Sequence, residues 1–235
     1  MIPEVKKIHD LVYVFSYKDE LKNVYKLLAD GYNDPENSPH FGGWVPWSTF
    51  GEYVNNPQEE KNFDGERAQK ESHAVHTVNE IFKETTDYYL NDFNLTADPE
   101  WRRMGPSFCR YFDNVGGHWN HIGNEENPRT KGVELAMVYH TDYVYQDRFE
   151  DSWKFILTCT MYLNDDYEGG DLKFKLNDET FEYKPKSGDV VVFPSGHPDL
   201  LSENGVFFHA VGAISKNPKY FIRCFYQKYT EGIKK

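Results

Sequence analysis

Three cysteines in 235 residues, Cys109, Cys159 and Cys224, stand far apart and form no CxxC pair, which excludes a disulfide framework and a thiolate zinc site. They are expected as small buried hydrophobes. No run of about 18 apolar residues occurs, and the first residues, Met1 to Lys6, lack a basic segment leading into an apolar one. Neither a spanning helix nor a signal peptide is therefore expected, and the chain is read as cytoplasmic with no membrane partner. Lys and Arg never run longer than two, and the net charge is −12, so nothing attracts phosphate backbones in general and no nucleic-acid partner is expected. Internal repeats and low-complexity tracts are also missing, which removes solenoids.

What the chain has in excess is rings. Phe, Tyr and Trp make up 17% of it, a composition that suits half-buried sheets and concave pockets. The length suits one soluble core with an appended region, divided here into residues 1–105 and 106–235. In the first part, Leu11 to Phe15 reads as a strand. Ser16 and Asp19 then have capping-box spacing before a helical period up to Gly31. Asn33 to Asp64 is rich in Pro, Gly and Asn yet carries Trp44 and Trp47, which predicts an ordered loop. A second helix is predicted from about Glu66 to Leu90, with Val75, Val78, Phe82 and Tyr89 on one side. Beyond Gly105, eight short strands separated by turns predict a sandwich or barrel: 107–112, 133–140, 155–163, 171–176, 180–183, 189–193, 206–211 and 220–226.

Nine histidines invite a search for metal ligands. Chance alone gives about 0.7 HxD triplets at this composition, so one isolated triplet says little. Of the two present, His197-Pro198-Asp199 has a central proline and reads as a turn. His140-Thr141-Asp142 closes a strand, where residues i and i+2 face the same way and aim an imidazole and a carboxylate into one barrel mouth. His209, in the apolar run Phe207 to Val211, supplies a third ligand from another strand; taken alone it would be a core histidine. Two histidines and one carboxylate with open coordination positions suit non-haem Fe(II).

Lys219 and Arg223 lie an even number of residues apart in an alternating segment and share one face with Phe221 and Phe225. On an interior face these cations need an anion; on an edge strand both would sit in solvent. Two other histidine pairs, His73 with His76 and His118 with His121, lack the Glu of HExxH. The stretch from Asn114 to Gly132, just before the HTD strand, reads either as a lid or as a surface insertion.

Taken in order, these segments resemble the Fe(II)/2-oxoglutarate dioxygenases, in particular the prolyl 4-hydroxylase-like branch. The matching pieces are HTD at 140–142, Leu157 to Asn164, Tyr167 to Phe174, Gly188 to Pro194, His209-Ala210-Val211 and Lys219-Tyr220. The resemblance implies a mainly β chain with an N-terminal α/β region and a double-stranded β-helix core, a jelly roll flanked by helices. In it His140, Asp142 and His209 would hold Fe(II). Lys219 would bind the C5 carboxylate of 2-oxoglutarate, Tyr162 would give that carboxylate a phenol hydrogen bond, and Tyr111 matches a tyrosine on the strand before HxD. The family consumes O₂, responds in part to ascorbate, and hydroxylates an unactivated C–H bond while 2-oxoglutarate becomes succinate and CO₂. The carboxylate of Asp142 argues for hydroxylation, since related halogenases carry a small residue there. Arg223, roughly 13 Å along the strand from Lys219, is not explained by the resemblance. It is the second candidate for the C5 carboxylate, and otherwise needs an anionic group of the substrate or an internal acid. The substrate class is open between peptidyl-proline and a small molecule. The competing readings are a cupin-like module that binds a metal or small acid without turnover, and a zinc hydrolase built on His118 and His121.

Overall fold

The computed structural model describes residues 3–17, 21, 45–46, 65–97, 101–111, 135–142, 152–176, 178–196, 200–201, 207–217 and 219–230. Its elements in order are β1 (Glu4–His9), β2 (Val12–Ser16), β3 (Val45–Pro46), α1 (Gly65–Asp92), β4 (Arg102–Tyr111), β5 (Leu135–His140), β6 (Ser152–Tyr162), β7 (Glu168–Gly169), β8 (Leu172–Leu176), β9 (Glu179–Tyr183), β10 (Asp189–Pro194), β11 (Phe207–Gly212), β12 (Ile214–Ser215) and β13 (Lys219–Thr230). The helix expected after Ser16, most of the 33–64 loop, the 114–132 stretch with His118 and His121, and the HPD turn lie outside the described residues.

The strands form a seven-stranded sheet in the order β1-β2-β10-β6-β13-β4-β3 and a four-stranded sheet in the order β5-β11-β8-β9. The chain repeatedly changes sheet. From β4 it passes to β5 in the smaller sheet, back to β6, across to β8 and β9, back to β10, across to β11 and back to β13, with antiparallel pairing inside each sheet. That winding is the double-stranded β-helix, the jelly roll expected from the sequence. Among the described residues no helix is long and apolar enough to cross a membrane.

Period-two alternation sorts the large sheet into two faces. On one face Tyr13, Phe15, Cys159, Met161, Val190, Val192, Ile222 and Cys224 pack with Val78, Phe82 and Tyr89 of α1. On the other Val12, Val14, Tyr162, Val191, Phe193 and Phe221 meet Phe174, Phe207 and Val211 of the small sheet. α1 thus covers the outside and leaves the space between the sheets for a site. The helix stops in a Schellman arrangement, with Leu95 N–H on Leu90 O at 2.9 Å, Asn94 N–H on Asn91 O at 3.0 Å, and Asn94 in the left-handed region at φ 56°.

Among the strands longer than two residues, one was not anticipated. β1 pairs with β2 at the edge of the large sheet, and its Glu4, Lys6 and Lys7 are exposed, so it carries almost no apolar signal. Charged residues on an edge strand discourage pairing with other chains, which is also what hides the strand from a hydrophobic pattern.

Candidate functional site

β5 ends at His140 and the chain turns at Asp142, while His209 of β11 lies directly opposite His140 in the antiparallel register. Alternation sends Tyr139 and Phe208 outward, where both are exposed, and His140 and His209 inward. The two rings stand 4.2 Å apart between centroids, and Phe193 backs His209 edge-on at 4.9 Å. Nε2 of His140 is 3.6 Å from one carboxylate oxygen of Asp142, and Nε2 of His209 is 3.5 Å from the other. One donor atom from each of the three residues falls within 4.8 Å of the others, the grouping among the described residues that can hold a metal ion.

Two hydroxyls that sequence reasoning passed over support the carboxylate. Thr158 donates to Asp142 Oδ2 at 2.7 Å and is itself in a short hydrogen bond with the buried Ser195. The signal was present in β6: Thr158, Thr160 and Tyr162 alternate onto the pocket face, in a strand whose other face is apolar.

The electrostatics favour a ligand set. Burial lowers the His209 pKa to about 3, with His140 and Arg223 adding to the effect, so its imidazole is neutral and carries a lone pair. Burial works against ionisation of Asp142, yet His209, a hydrogen bond from His140 and the Arg223 guanidinium outweigh it and keep the carboxyl anionic. Two imidazoles, that of His209 neutral, and one carboxylate suit a divalent first-row ion with positions to spare. Donors about 2.1 Å from one ion stand about 3 Å apart when adjacent, against 3.6 and 3.5 Å from the two imidazoles to separate oxygens of Asp142 and a span within 4.8 Å for the whole set.

The same pocket holds both sequence-predicted cations, and β13 is an interior strand between β6 and β4 rather than an edge. Lys219 is 1% exposed. Its Nζ donates to Gly170 O at 2.6 Å and lies 4.7 Å from the Tyr162 ring centroid. Burial lowers its pKa to about 7, helped by Lys184 and opposed by Asp171. The carbonyl it reaches is presented by a Gly169-Gly170 turn with φ of 69° and 71°, both in the left-handed region that glycine permits. Tyr111 is the backbone partner of Lys219 across β4. Arg223 also lines the pocket, opposite Thr160, and its charge is felt by Asp142 and His209, whereas the charges acting on Lys219 are Lys184 and Asp171. The two cations stand four residues apart along β13 and line one cavity, which encloses roughly 450 Å³, part of it open to solvent. His76 is exposed on α1 and faces none of this.

Residues 130–227, which contain every residue that lines this pocket, match the family model of the 2OG-Fe(II) oxygenase superfamily. They form a 2OG-Fe(II) oxygenase domain. This oxygenase domain has the dioxygenase class of oxidoreductase chemistry, and Fe(II), 2-oxoglutarate and O₂ are the reactants its family implies. Solved structures similar to the chain include the viral collagen prolyl hydroxylase of Paramecium bursaria Chlorella virus-1, 11% identical with TM-score 0.49, covering 92% of this chain and 96% of that one. A prolyl-4-hydroxylase of Pseudomonas putida is 15% identical with TM-score 0.46, covering 92% of each chain. The dioxygenase for auxin oxidation of Arabidopsis thaliana is 13% identical with TM-score 0.46, covering 94% of this chain and 65% of that one. No substrate is read from them. Among curated proteins none matches the chain.

Proposed function

We propose that this oxygenase is a prolyl 4-hydroxylase-like hydroxylase in which His140, Asp142 and His209 hold Fe(II) and Lys219 binds the C5 carboxylate of 2-oxoglutarate. The observation that carries the reading is the convergence of those three donors at one end of a pocket whose other end holds a buried ammonium. When bound, iron and 2-oxoglutarate supply oxygen activation: a C–H bond becomes C–OH, one oxygen atom going to the product and the other to succinate as CO₂ leaves.

The chain's own residues prepare the ground for that chemistry. His140 and His209 present imidazole nitrogens, Asp142 adds one negative charge, and Thr158 fixes its carboxylate plane. Lys219 meets a distal carboxylate with a charge-assisted hydrogen bond in a site sealed by Tyr162, Leu172 and Phe221. The Tyr162 phenol is assigned a second hydrogen bond to that carboxylate, and Tyr111, paired with Lys219, a place beside it. The apolar walls exclude water from the reacting centre.

The test uses the purified protein without oxygen. Addition of 2-oxoglutarate to the Fe(II) form is expected to produce the weak visible charge-transfer band of a chelated keto acid. The band should vanish in His140→Ala, Asp142→Ala and His209→Ala, and Lys219→Ala should weaken 2-oxoglutarate binding about tenfold or more while iron binding persists. An unchanged band in the three ligand variants overturns the assignment. Metal and 2-oxoglutarate binding with no 2-oxoglutarate consumption in air, across a panel of prolyl peptides and amino acids, would favour the non-catalytic cupin-like module.

A further inference from the structure

Thr158 of β6 lines the pocket, and Ser195, the residue after β10, stands against it; the two are 1% and 2% exposed. The direction of their hydrogen bonds follows by elimination. An ionised carboxylate only accepts, so the Thr158 proton goes to Asp142 Oδ2 at 2.7 Å, and the Thr158 oxygen must take its short hydrogen bond from the Ser195 hydroxyl. Ser195 is anchored in turn. Its N–H and that of Gly196 both donate to Ile156 O, at 2.8 and 3.2 Å, which ties it to the strand that carries Thr158. A relay thus runs from Ser195 through Thr158 to Asp142, each hydrogen bond polarising the next.

The relay treats the two carboxylate oxygens unequally. Both stand close to an imidazole, Oδ1 at 3.6 Å from His140 Nε2 and Oδ2 at 3.5 Å from His209 Nε2, so the hydroxyl on Oδ2 is what distinguishes them. For a bound metal the distinction decides how many positions remain open. Two imidazoles and one carboxylate oxygen fill half of an octahedral shell and leave the other half for a chelating keto acid and O₂. A carboxylate free to swing can bind through both oxygens, and then consumes one of those open positions.

We propose that Thr158, backed by Ser195, is a positioning residue that commits Asp142 to the metal through Oδ1 alone and so preserves a coordination position for the reactants. The proposal rests on the function given above and adds what keeps that site open. Both hydroxyls act through Asp142. Removing the Thr158 hydroxyl alone would leave the buried Ser195 donor without its acceptor, whereas removing both leaves an apolar contact of nearly the same shape. The cleanest variant is therefore the double one, Thr158→Val with Ser195→Ala.

The test counts waters on Mn(II) and then titrates 2-oxoglutarate, both without O₂. Failure of the wild-type protein to bind Mn(II), or of its Mn(II) form to bind 2-oxoglutarate, overturns the function itself before any variant is made. In the wild-type Mn(II) form, water-proton relaxation is expected to report about three exchangeable waters, one for each open position. In the double variant the count should fall by about one and Mn(II) should bind at least as tightly. There 2-oxoglutarate should bind about tenfold more weakly, because a carboxylate oxygen must leave before the keto acid can chelate. Thr158→Ser keeps the hydroxyl and should restore all three readings, and Ser195→Ala should shift them the same way by a smaller factor. A merely structural role would lower Mn(II) and 2-oxoglutarate affinity together and leave the water count unchanged. That pattern, or an unchanged count with undiminished 2-oxoglutarate binding, overturns the proposal. If the double variant does not fold, Ser195→Ala decides, an unchanged 2-oxoglutarate affinity being the overturning result.

Discussion

Lys219 illustrates how much one buried charge constrains. With a folded-state pKa of about 7 against 10.5 for an ordinary lysine, the native protein binds fewer protons than the unfolded chain between those values. Stability contributed through this group therefore rises with pH across that window: the penalty is complete below about pH 7 and absent above about 10.5. A distal carboxylate reverses the bias by favouring the ammonium. Binding of 2-oxoglutarate at pH 8.5 is thus expected to take up close to one proton per site, with affinity falling as pH rises from 7 to 9. Calorimetry in two buffers of different ionisation enthalpy measures this directly, and Lys219→Met should abolish the uptake. Equal heats in both buffers for the wild-type protein would sink the assignment of Lys219 to the acid.

Among the short elements, the turn that carries Lys219's acceptor is the least tolerant. A Cβ on Gly169 would meet the Ala213 carbonyl oxygen at 2.0 Å with φ at 69°, whereas one on Gly212 finds nothing nearer than 3.5 Å. Gly169→Ala is expected to destabilise by about 2 to 4 kcal/mol, and Gly212→Ala by less than about 1 kcal/mol, read from urea midpoints at constant m. Similar midpoints for the two variants would contradict the strained turn. Elements of this kind also mark where sequence reading ends. The large strands are legible because Leu157 to Leu163 and Tyr220 to Tyr226 alternate between two apolar surfaces, and the HTD triplet because i and i+2 share a face. β7 and β12 are two residues each and hold no period at all. β1 is charged because it is an edge, and Thr158 gives no sign of its role until the fold carries it, 16 residues on from Asp142, back to that carboxylate. Likewise Lys219 and Arg223 share a face in the sequence, and only the fold, by placing β13 between β6 and β4, shows that this face lines the cavity rather than solvent.

At the scale of the molecule, a metal in this site would tie β5 to β11 across the small sheet and stabilise the native state by mass action. At an ion concentration a hundred times its dissociation constant the gain is about 2.7 kcal/mol, which for a domain of this size raises Tm by about 5 to 10 °C. Mn(II) or Fe(II) should produce that shift in the wild-type protein, a chelator should remove it, and Asp142→Ala should show none; a shift that survives in Asp142→Ala would place the ion elsewhere. The position of β13 has a separate consequence. It is the last described strand in the chain, yet it lies inside the large sheet, bonded to β6 on one side and β4 on the other. During synthesis, β4 and β6 wait with unsatisfied inner edges until the residues through Thr230 have left the ribosome. At about 5 to 20 residues per second, some 70 residues separate the end of β6 from the end of β13, an interval of several seconds. A nascent chain that pairs its earlier strands in that interval would be an open β-sheet missing an interior strand, so its yield in a cell is expected to depend on what shields those edges as well as on the stability of the finished fold.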